Sequence, residues 1–165
     1  MTPDYRVGFG TDLHRLREGS GLRLGGVWVP CAYSAVAVSD GDVVLHALVD
    51  AMLGACGLGD IGEYFPPARV APGADSRLFV DKVLRMFGNG VEIVNVDCVI
   101  DLESVKLGGL KKEIGASIAG ILGMDPKRVN VKAKTAEGVG PVGEGRAVAS
   151  QVALLVRLGG VEAGT

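Results

Sequence analysis

The sequence predicts an α+β fold, a two-layer domain with one mixed sheet and helices packed on one face. Two observations predict it. The elements run strand, strand, helix, helix, strand, helix, strand, strand, an order that suits one sheet covered by helices. The apolar residues, 48% of the chain with only 5% aromatic, are mainly Val, Leu, Ile and Ala, the material of an aliphatic core. The length of 165 residues suits one compact domain over 1–165.

Taken in order, residues 5–11 and 22–29 read as two short strands, the second (LRLGGVWV) alternating around its Gly pair. Residues 30–41 are a loop, opened by Pro30 and closed by the Ser39-Asp40-Gly41 turn. Asp42 then stands as N-cap or first-turn acid of a helix over about 43–57. Gly57, Gly59 and Gly62 end that helix and Pro66-Pro67 seal the break. A second helix follows Asp75-Ser76 and runs to about Phe87, stopped by Gly88 and Gly90. Residues 91–101 (VEIVNVDCVID) are β-rich and form an internal strand. A third helix covers 107–122, with Lys111 and Lys112 solvated, and residues 128–135 and 147–157 are the last two strands.

Composition excludes several function classes. So much apolar material is hard for a small domain to bury alone, which predicts a homo-oligomer. The net charge of −2 and the lack of a basic block interleaved with aromatics argue against nucleic acid. Cys31, Cys56 and Cys98 are scattered and odd in number, fitting buried thiols in a reducing compartment. The start, MTPDYRVGFG, has no apolar signal core, and no apolar run reaches the ~18–20 residues that cross a bilayer. The expectation is a soluble cytoplasmic protein without a membrane partner.

The chain has two histidines, so their neighbours matter. In Thr11-Asp12-Leu13-His14, positions 12 and 14 point to one side of a strand end and converge. His46 lies inside the first long helix, with Asp42 and Asp50 four residues to either side on the same face. One carboxylate and two imidazoles, Asp12, His14 and His46, suit a divalent metal, most readily zinc, with a coordination position left open. Asp50 or Asp42 could orient His46 from behind. The bland reading is a capping His14 and a hydrogen-bonded core His46. The glycine clusters at 39–42, 57–62 and 137–140 sit at element boundaries. They could admit phosphate oxygens to backbone N–H groups, but none is a P-loop or dinucleotide fingerprint, and ordinary turns explain each. Lys132, Lys134, Thr135 and Glu137 cluster at a strand end. A hydroxyl beside a carboxylate there could serve a phosphate and a hard metal such as magnesium, or be plainly solvated.

Taken together, Gly10-Thr11-Asp12-Leu13-His14-Arg15, Leu24-Gly25-Gly26-Val27, the long stretch Ser39 to Ala55 (SDGDVVLHALVDAMLGA) and Leu58-Gly59-Asp60-Ile61-Gly62 resemble the 2-C-methyl-D-erythritol 2,4-cyclodiphosphate synthase family. Phe65-Pro66, Ala74-Asp75-Ser76-Arg77, Asn95-Val96-Asp97 and Asn130 to Thr135 extend the resemblance over almost the whole chain. The resemblance implies a CMP-releasing, cyclising phosphorus-oxygen lyase of the non-mevalonate (MEP) route to isoprenoid precursors. Its substrate would be 4-diphosphocytidyl-2-C-methyl-D-erythritol 2-phosphate, whose 2-phosphate attacks the β-phosphorus. It implies zinc or another divalent transition metal on Asp12, His14 and His46, acting as Lewis acid and template. Glu137 would contact a magnesium or manganese ion bridging the diphosphate, and Thr135 would hold the α-phosphate as a further catalytic residue. Asp60, Ile61 and Gly62 would line the methylerythritol pocket, and Leu102 to Lys106 with Leu107 would face the cytosine. Ser39, Phe65 and Lys134 are further substrate-binding positions by the same resemblance. A homotrimer with sites between subunits is implied, in agreement with the apolar excess.

Three positions depart from the family pattern. Val38 stands where a histidine usually precedes Ser-Asp-Gly-Asp, and a valine neither donates a hydrogen bond nor carries charge. Val105-Lys106 replaces Pro-Lys in the cytosine loop. The segment Gly140-Pro141-Val142-Gly143-Glu144-Gly145-Arg146 replaces a longer one with Phe and Arg that lines a central trimer cavity. These departures raise an alternative, a catalytically weak trimeric module that binds metal and nucleotide.

Overall fold

The structure, a computed structural model, describes residues 4–159. The ends of the expected domain, 1–3 and 160–165, lie outside the described residues. The strands are β1 (Asp4–Glu18), β2 (Gly21–Leu24), β3 (Val27–Pro30), β4 (Tyr33–Ala35), β5 (Val91–Asp101), β6 (Val129–Lys134) and β7 (Ala147–Leu158). The helices are α1 (Val43–Ala55), α2 (Ile61–Tyr64), α3 (Arg77–Phe87), α4 (Lys111–Leu122) and α5 (Gly140–Gly143). Five strands form one sheet in the order β4-β1-β7-β5-β6, and β2 pairs with β3 apart from it. β7 is antiparallel to both β1 and β5, whereas β5 and β6 are parallel, joined through α4. The sheet is mixed, as expected, and the fold is α+β.

Several boundaries differ from the sequence reading, each for a physical reason. The expected strand 22–29 is a hairpin: Gly25 and Gly26 have φ of 61° and 83°, and Leu24 pairs with Val27. Two positive φ values in a two-residue loop make a type I′ turn, open to glycine. The expected strand 5–11 runs on to Glu18 because β7 pairs with it through Arg15 and β4, inside the expected loop 30–41, pairs with Leu16 to Glu18. The first helix stops at Ala55 rather than 57, and the third begins at Lys111 rather than 107. Short α2 and α5 occupy stretches too brief for a periodic signal.

Ten of the thirteen residues of α1 are buried. A helix apolar on nearly every side belongs inside the protein. It lies across β1 and β7 on the inner face of the sheet, where Val148, Ser150, Val152, Leu154 and Val156 of β7 are also buried. What lets α1 approach β1 so closely is glycine. A Cβ on Gly8 would stand 1.9 Å from the Ala51 carbonyl oxygen, and one on Gly10 would stand 2.1 Å from that of Ala47. Residues 8, 10, 12, 14 and 16 share this inner side of β1.

The N-terminus of α1 is tied to the hairpin by Asp42. Its fully buried carboxylate accepts N–H groups from Val44 (3.1 Å) and Leu45 (3.0 Å) as N-cap, and from Gly25 (2.9 Å) and Gly26 (2.6 Å) of the turn. Burial pushes the Asp42 carboxyl up, and the N–H groups of Gly26, Leu45 and Gly25 oppose it.

The outer face of the sheet is covered by no other element among the described residues. Along β1 it exposes Tyr5, Val7, Phe9 and Leu13, with Val7 72% and Phe9 63% exposed. Toward β5 and β6 it turns polar, with Lys132 Nζ 2.6 Å from Asp97 and Gln151 donating to Asp101 at 2.7 Å. The three cysteines are free; Cys98 is buried, while Cys31 and Cys56 are half-buried, so only one matches the expected buried thiol. Burial pushes the Cys98 thiol up to about 12. No helix among the described residues is long and apolar enough to cross a membrane.

Candidate active site

Two residues past Gly10, the inner side of β1 presents Asp12 and then His14. The close crossing of α1 brings His46 against them. One ligand atom from each of the three lies within 4.8 Å of the others. Asp12 Oδ2 is 3.1 Å from His46 Nδ1 and 3.5 Å from His14 Nε2, and the two histidine side chains retain only 11% and 14% exposure. The rings meet edge to face with centroids 5.1 Å apart. His46 is also stacked on Phe79 of α3, which stacks on Phe65.

Hydrogen bonding decides which ring nitrogens are free. His14 Nδ1 is 3.0 Å from the Leu13 carbonyl oxygen, which can only accept, so Nδ1 carries the proton. That leaves His14 Nε2 as a bare lone pair, buried and without any hydrogen-bond partner. A buried orphan acceptor is costly, and here it faces a carboxylate oxygen and a second imidazole. A divalent cation satisfies all three atoms at once, and one carboxylate with two imidazoles is a donor set that zinc accepts. The residues therefore fit a divalent metal ion.

The orientation of His46 differs from expectation. Neither the Asp42 nor the Asp50 carboxylate bonds its ring. Asp42 is occupied by the hairpin and the helix N-terminus, and Asp50 accepts the Ile61 N–H at 2.7 Å. Burial, the largest cause, raises the Asp50 carboxyl above its ordinary range, against the pull of the Ile61 N–H. The partner of His46 Nε2 is instead Ser76 Oγ, at 2.8 Å, with Ser39 Oγ farther off at 3.2 Å. Ser76 is fully buried and its hydroxyl in turn donates to Asp40. Sequence reasoning missed Ser76, Asp40 and Phe79. They lie 30 or more residues from the atoms they serve, and the only signal was a serine at a helix start.

Beside the three ligand atoms opens a cavity of about 240 Å³, lined by Val38, Ser39, Ile61, Gly62, Phe65 and Phe79 among others. Ser39, Ile61, Gly62 and Phe65 share this cavity, whereas Asp60 is not among its lining residues. Asp60 is the N-cap of α2, its carboxylate accepting the N–H groups of Gly62 (2.9 Å) and Glu63 (3.2 Å). Val38 is 44% exposed and offers the cavity only methyl groups.

A second group forms at the far end of β6. Thr135 Oγ1 donates to Glu137 at 3.1 Å, and the Ala136 N–H is held by Glu103 at 2.9 Å. Glu137 is the one non-glycine residue with positive φ among the described residues, at 51°. Lys134, next to Thr135, and Lys106 are exposed, whereas Leu102 and Leu107 are only 3% exposed and belong to the core. Those two leucines can offer a ligand backbone but not side chain.

The two groups are not brought together within one chain. Across the sheet, Asp12 pairs with Ser150, Ser150 with Ile100 and Ile100 with Ala133. Three strand spacings of about 4.8 Å put roughly 14 Å between Asp12 and the start of the second group.

The profile described as the YgbB family matches residues 5–157. A 2-C-methyl-D-erythritol 2,4-cyclodiphosphate synthase of Treponema denticola is 46% identical over 153 residues, covering 92% of this chain and 95% of its own. The enzyme of that name from Solibacter usitatus is 46% identical over 150 residues, covering 90% and 94%. Among solved structures, the IspF of Plasmodium falciparum in its CDP complex superposes with a TM-score of 0.82 at 31% identity, covering 96% of this chain and 99% of that one.

Proposed function

The chain belongs to the YgbB family, and from that membership we propose how its residues carry the reaction of a 2-C-methyl-D-erythritol 2,4-cyclodiphosphate synthase. The enzyme converts 4-diphosphocytidyl-2-C-methyl-D-erythritol 2-phosphate to the cyclic diphosphate and CMP, in the MEP route to isoprenoid precursors. A 2-phosphate oxygen bonds to the β-phosphorus. The bond from that phosphorus to the bridging oxygen breaks, and CMP leaves with the electron pair, so the reaction is a phosphorus-oxygen lyase step. Because both reacting phosphates belong to one molecule, the protein's work is to hold them in line and to offset charge.

The observation that carries the site assignment is the orphaned His14 Nε2 facing Asp12 and His46. These three residues would hold zinc, which supplies Lewis acidity at a β-phosphate oxygen. Ile61, Gly62 and Phe65, with the Asp60-capped turn beneath them, receive the methylerythritol in the cavity beside the cluster. Thr135 donates its hydroxyl to the α-phosphate, Lys134 and Lys106 offset charge and hold the nucleotide, and Glu137 would hold magnesium or manganese at the diphosphate. The backbone around Leu102 and Leu107 frames the base. The CDP in the Plasmodium structure supports a cytidine nucleotide as ligand.

Two adjacent phosphates cannot touch both groups of one chain across roughly 14 Å. The site is therefore completed between copies, the second group of one subunit lying against the metal cluster of its neighbour. The exposed apolar strip of β1 supplies the face on which copies associate, and a homotrimer is the assembly we assign. The weak-module alternative raised by Val38 is not favoured, since the relatives that span this chain are named as synthases.

The test supplies substrate with zinc and magnesium and follows CMP and the cyclic product by phosphorus NMR. The expected result is equal amounts of both. No cyclic product under those conditions overturns the activity, and no zinc by elemental analysis of the purified protein exposed to zinc overturns the site.

A further inference from the structure

We infer that Ser76 and Asp40 form a hydrogen-bonded relay that fixes His46 as the Nε2–H tautomer and so aims its Nδ1 lone pair at the space shared with Asp12 and His14. This rests on the reading of those three residues as metal ligands. Ser76 is a positioning residue, acting on a ligand it does not replace.

The direction of each bond in the relay is forced. The Asp40 carboxylate accepts two backbone N–H groups, from Ser76 at 3.1 Å and Asp42 at 3.2 Å, and accepts the Ser76 hydroxyl as well. A hydroxyl has one proton. With that proton given to Asp40, Ser76 Oγ can only accept from His46, so the 2.8 Å contact is Nε2–H to Oγ. In the neutral ring the other nitrogen, Nδ1, is then unprotonated, and it is Nδ1 that stands 3.1 Å from Asp12 Oδ2. The two histidines thus use opposite tautomers, His14 protonated on Nδ1 and His46 on Nε2, and both present lone pairs to the same place. A metal-bound imidazole whose second nitrogen donates to a fixed acceptor gains both orientation and basicity.

The local geometry of α3 is compatible with this. Ser76 enters α3 with helical φ and ψ of −65° and −15°, so its side chain is not placed to cap the helix as that of an extended N-cap serine is. It makes no capping bond, and the Arg77 N–H is taken by Asp75 at 2.9 Å instead. The Ser76 hydroxyl forgoes the helix and is spent on His46 and Asp40. Burial of Ser76 keeps water from replacing it.

The experiment measures zinc affinity by competition with a chromophoric chelator for the unaltered chain, Ser76→Ala and Ser76→Thr. It also records the ring nitrogens of His46 by NMR in the unaltered protein labelled with ¹⁵N-histidine. The expected results are a loss of about 10–100-fold in zinc affinity for Ser76→Ala, affinity restored to within a few-fold by Ser76→Thr, and an Nε2–H signal for His46 in zinc-loaded protein. Equal zinc affinity for Ser76→Ala and the unaltered chain overturns the relay while leaving the metal site standing. An Nδ1–H signal with zinc bound overturns it even if neither variant folds. Failure of the unaltered chain to bind zinc overturns the metal reading, and the relay with it.

Discussion

Gly10→Ala should cost the protein both stability and its metal site, and the size of the effect follows from one distance. The added methyl carbon would stand 2.1 Å from the Ala47 carbonyl oxygen and 2.6 Å from the Ala51 nitrogen. A tolerable carbon–oxygen approach is about 3.3 Å, so β1 and α1 must part by roughly 1.2 Å. Both obstructing atoms are backbone in a helix buried on nearly all sides, and no rotamer change relieves them. Overpacking of this kind costs about 1–3 kcal/mol, and the backbone clash argues for the upper end. In a chain of this length each kcal/mol moves the melting temperature by ~2–4 °C, giving a fall of ~6–12 °C. Asp12 lies two residues past the clash and His46 precedes Ala47, so the same parting separates the ligand atoms. A site holds its function within about 0.5 Å, and zinc affinity should fall with it. Calorimetry and chelator competition read the two effects. Gly54→Ala is the control: it lies in the same helix with nothing within 4 Å of the new methyl, and should be stabilising by about 0.4–1 kcal/mol. Gly10→Ala protein with unchanged melting temperature and unchanged zinc affinity would refute the close-packing account.

Val38→His should raise turnover without altering zinc content, since the cavity wall gains a donor where it now has methyl groups; unchanged turnover would mean that another group already supplies it. Phe9→Lys places charge on the exposed strip of β1 and should shift sedimentation toward the 17.0 kDa subunit; an unaffected assembly would place the interface elsewhere. Lys132→Met tests the cross-strand pair. The Lys132 ammonium, helped by Asn130, holds the Asp97 carboxyl below its ordinary range. A depressed carboxylate contributes stability above its unfolded value, near 3.9, and loses it as pH falls through the lower folded value. Both side chains are more than a third exposed, so solvent screening limits the pair to less than about 1 kcal/mol. The variant should be slightly less stable than the unaltered chain at pH 7, and the gap should narrow as pH falls below the unfolded carboxylate value, as read by urea denaturation. A gap that widens on acidification would reverse the sign of the argument.

What the sequence made legible was what local periodicity encodes. Asp12 and His14 converge because strand residues two apart share a side, and His46 declared itself by sitting in an apolar helical run. The Leu22–Val29 stretch misled because alternation resumes directly after Gly25 and Gly26; the shift of its buried residues from Leu22 and Leu24 to Val27 and Val29, out of phase, marks the turn that the two positive φ values make. Asp42 was legible as an N-cap, yet its bonds to the hairpin were not, being a matter of two segments 16 and 17 residues apart that meet only after folding. The orientation of His46 was assigned to Asp42 or Asp50 on helical spacing. That rule names neighbours on one helix and is silent about a serine at the start of another. A site divided between subunits was implied only by the family resemblance; no local pattern shows it, since strand order is not written in one.

Asp12 and His14 sit in the sheet and His46 in the helix above it, so a cation held by all three is a rivet through both layers. Its binding then acts on the folding equilibrium as much as on the chemistry. A ligand that binds only the folded state at one hundred times its dissociation constant adds about 2.7 kcal/mol to stability, a large share of what holds an average domain together. On the proposed reading, metal supply would set how much protein survives as well as how fast it works.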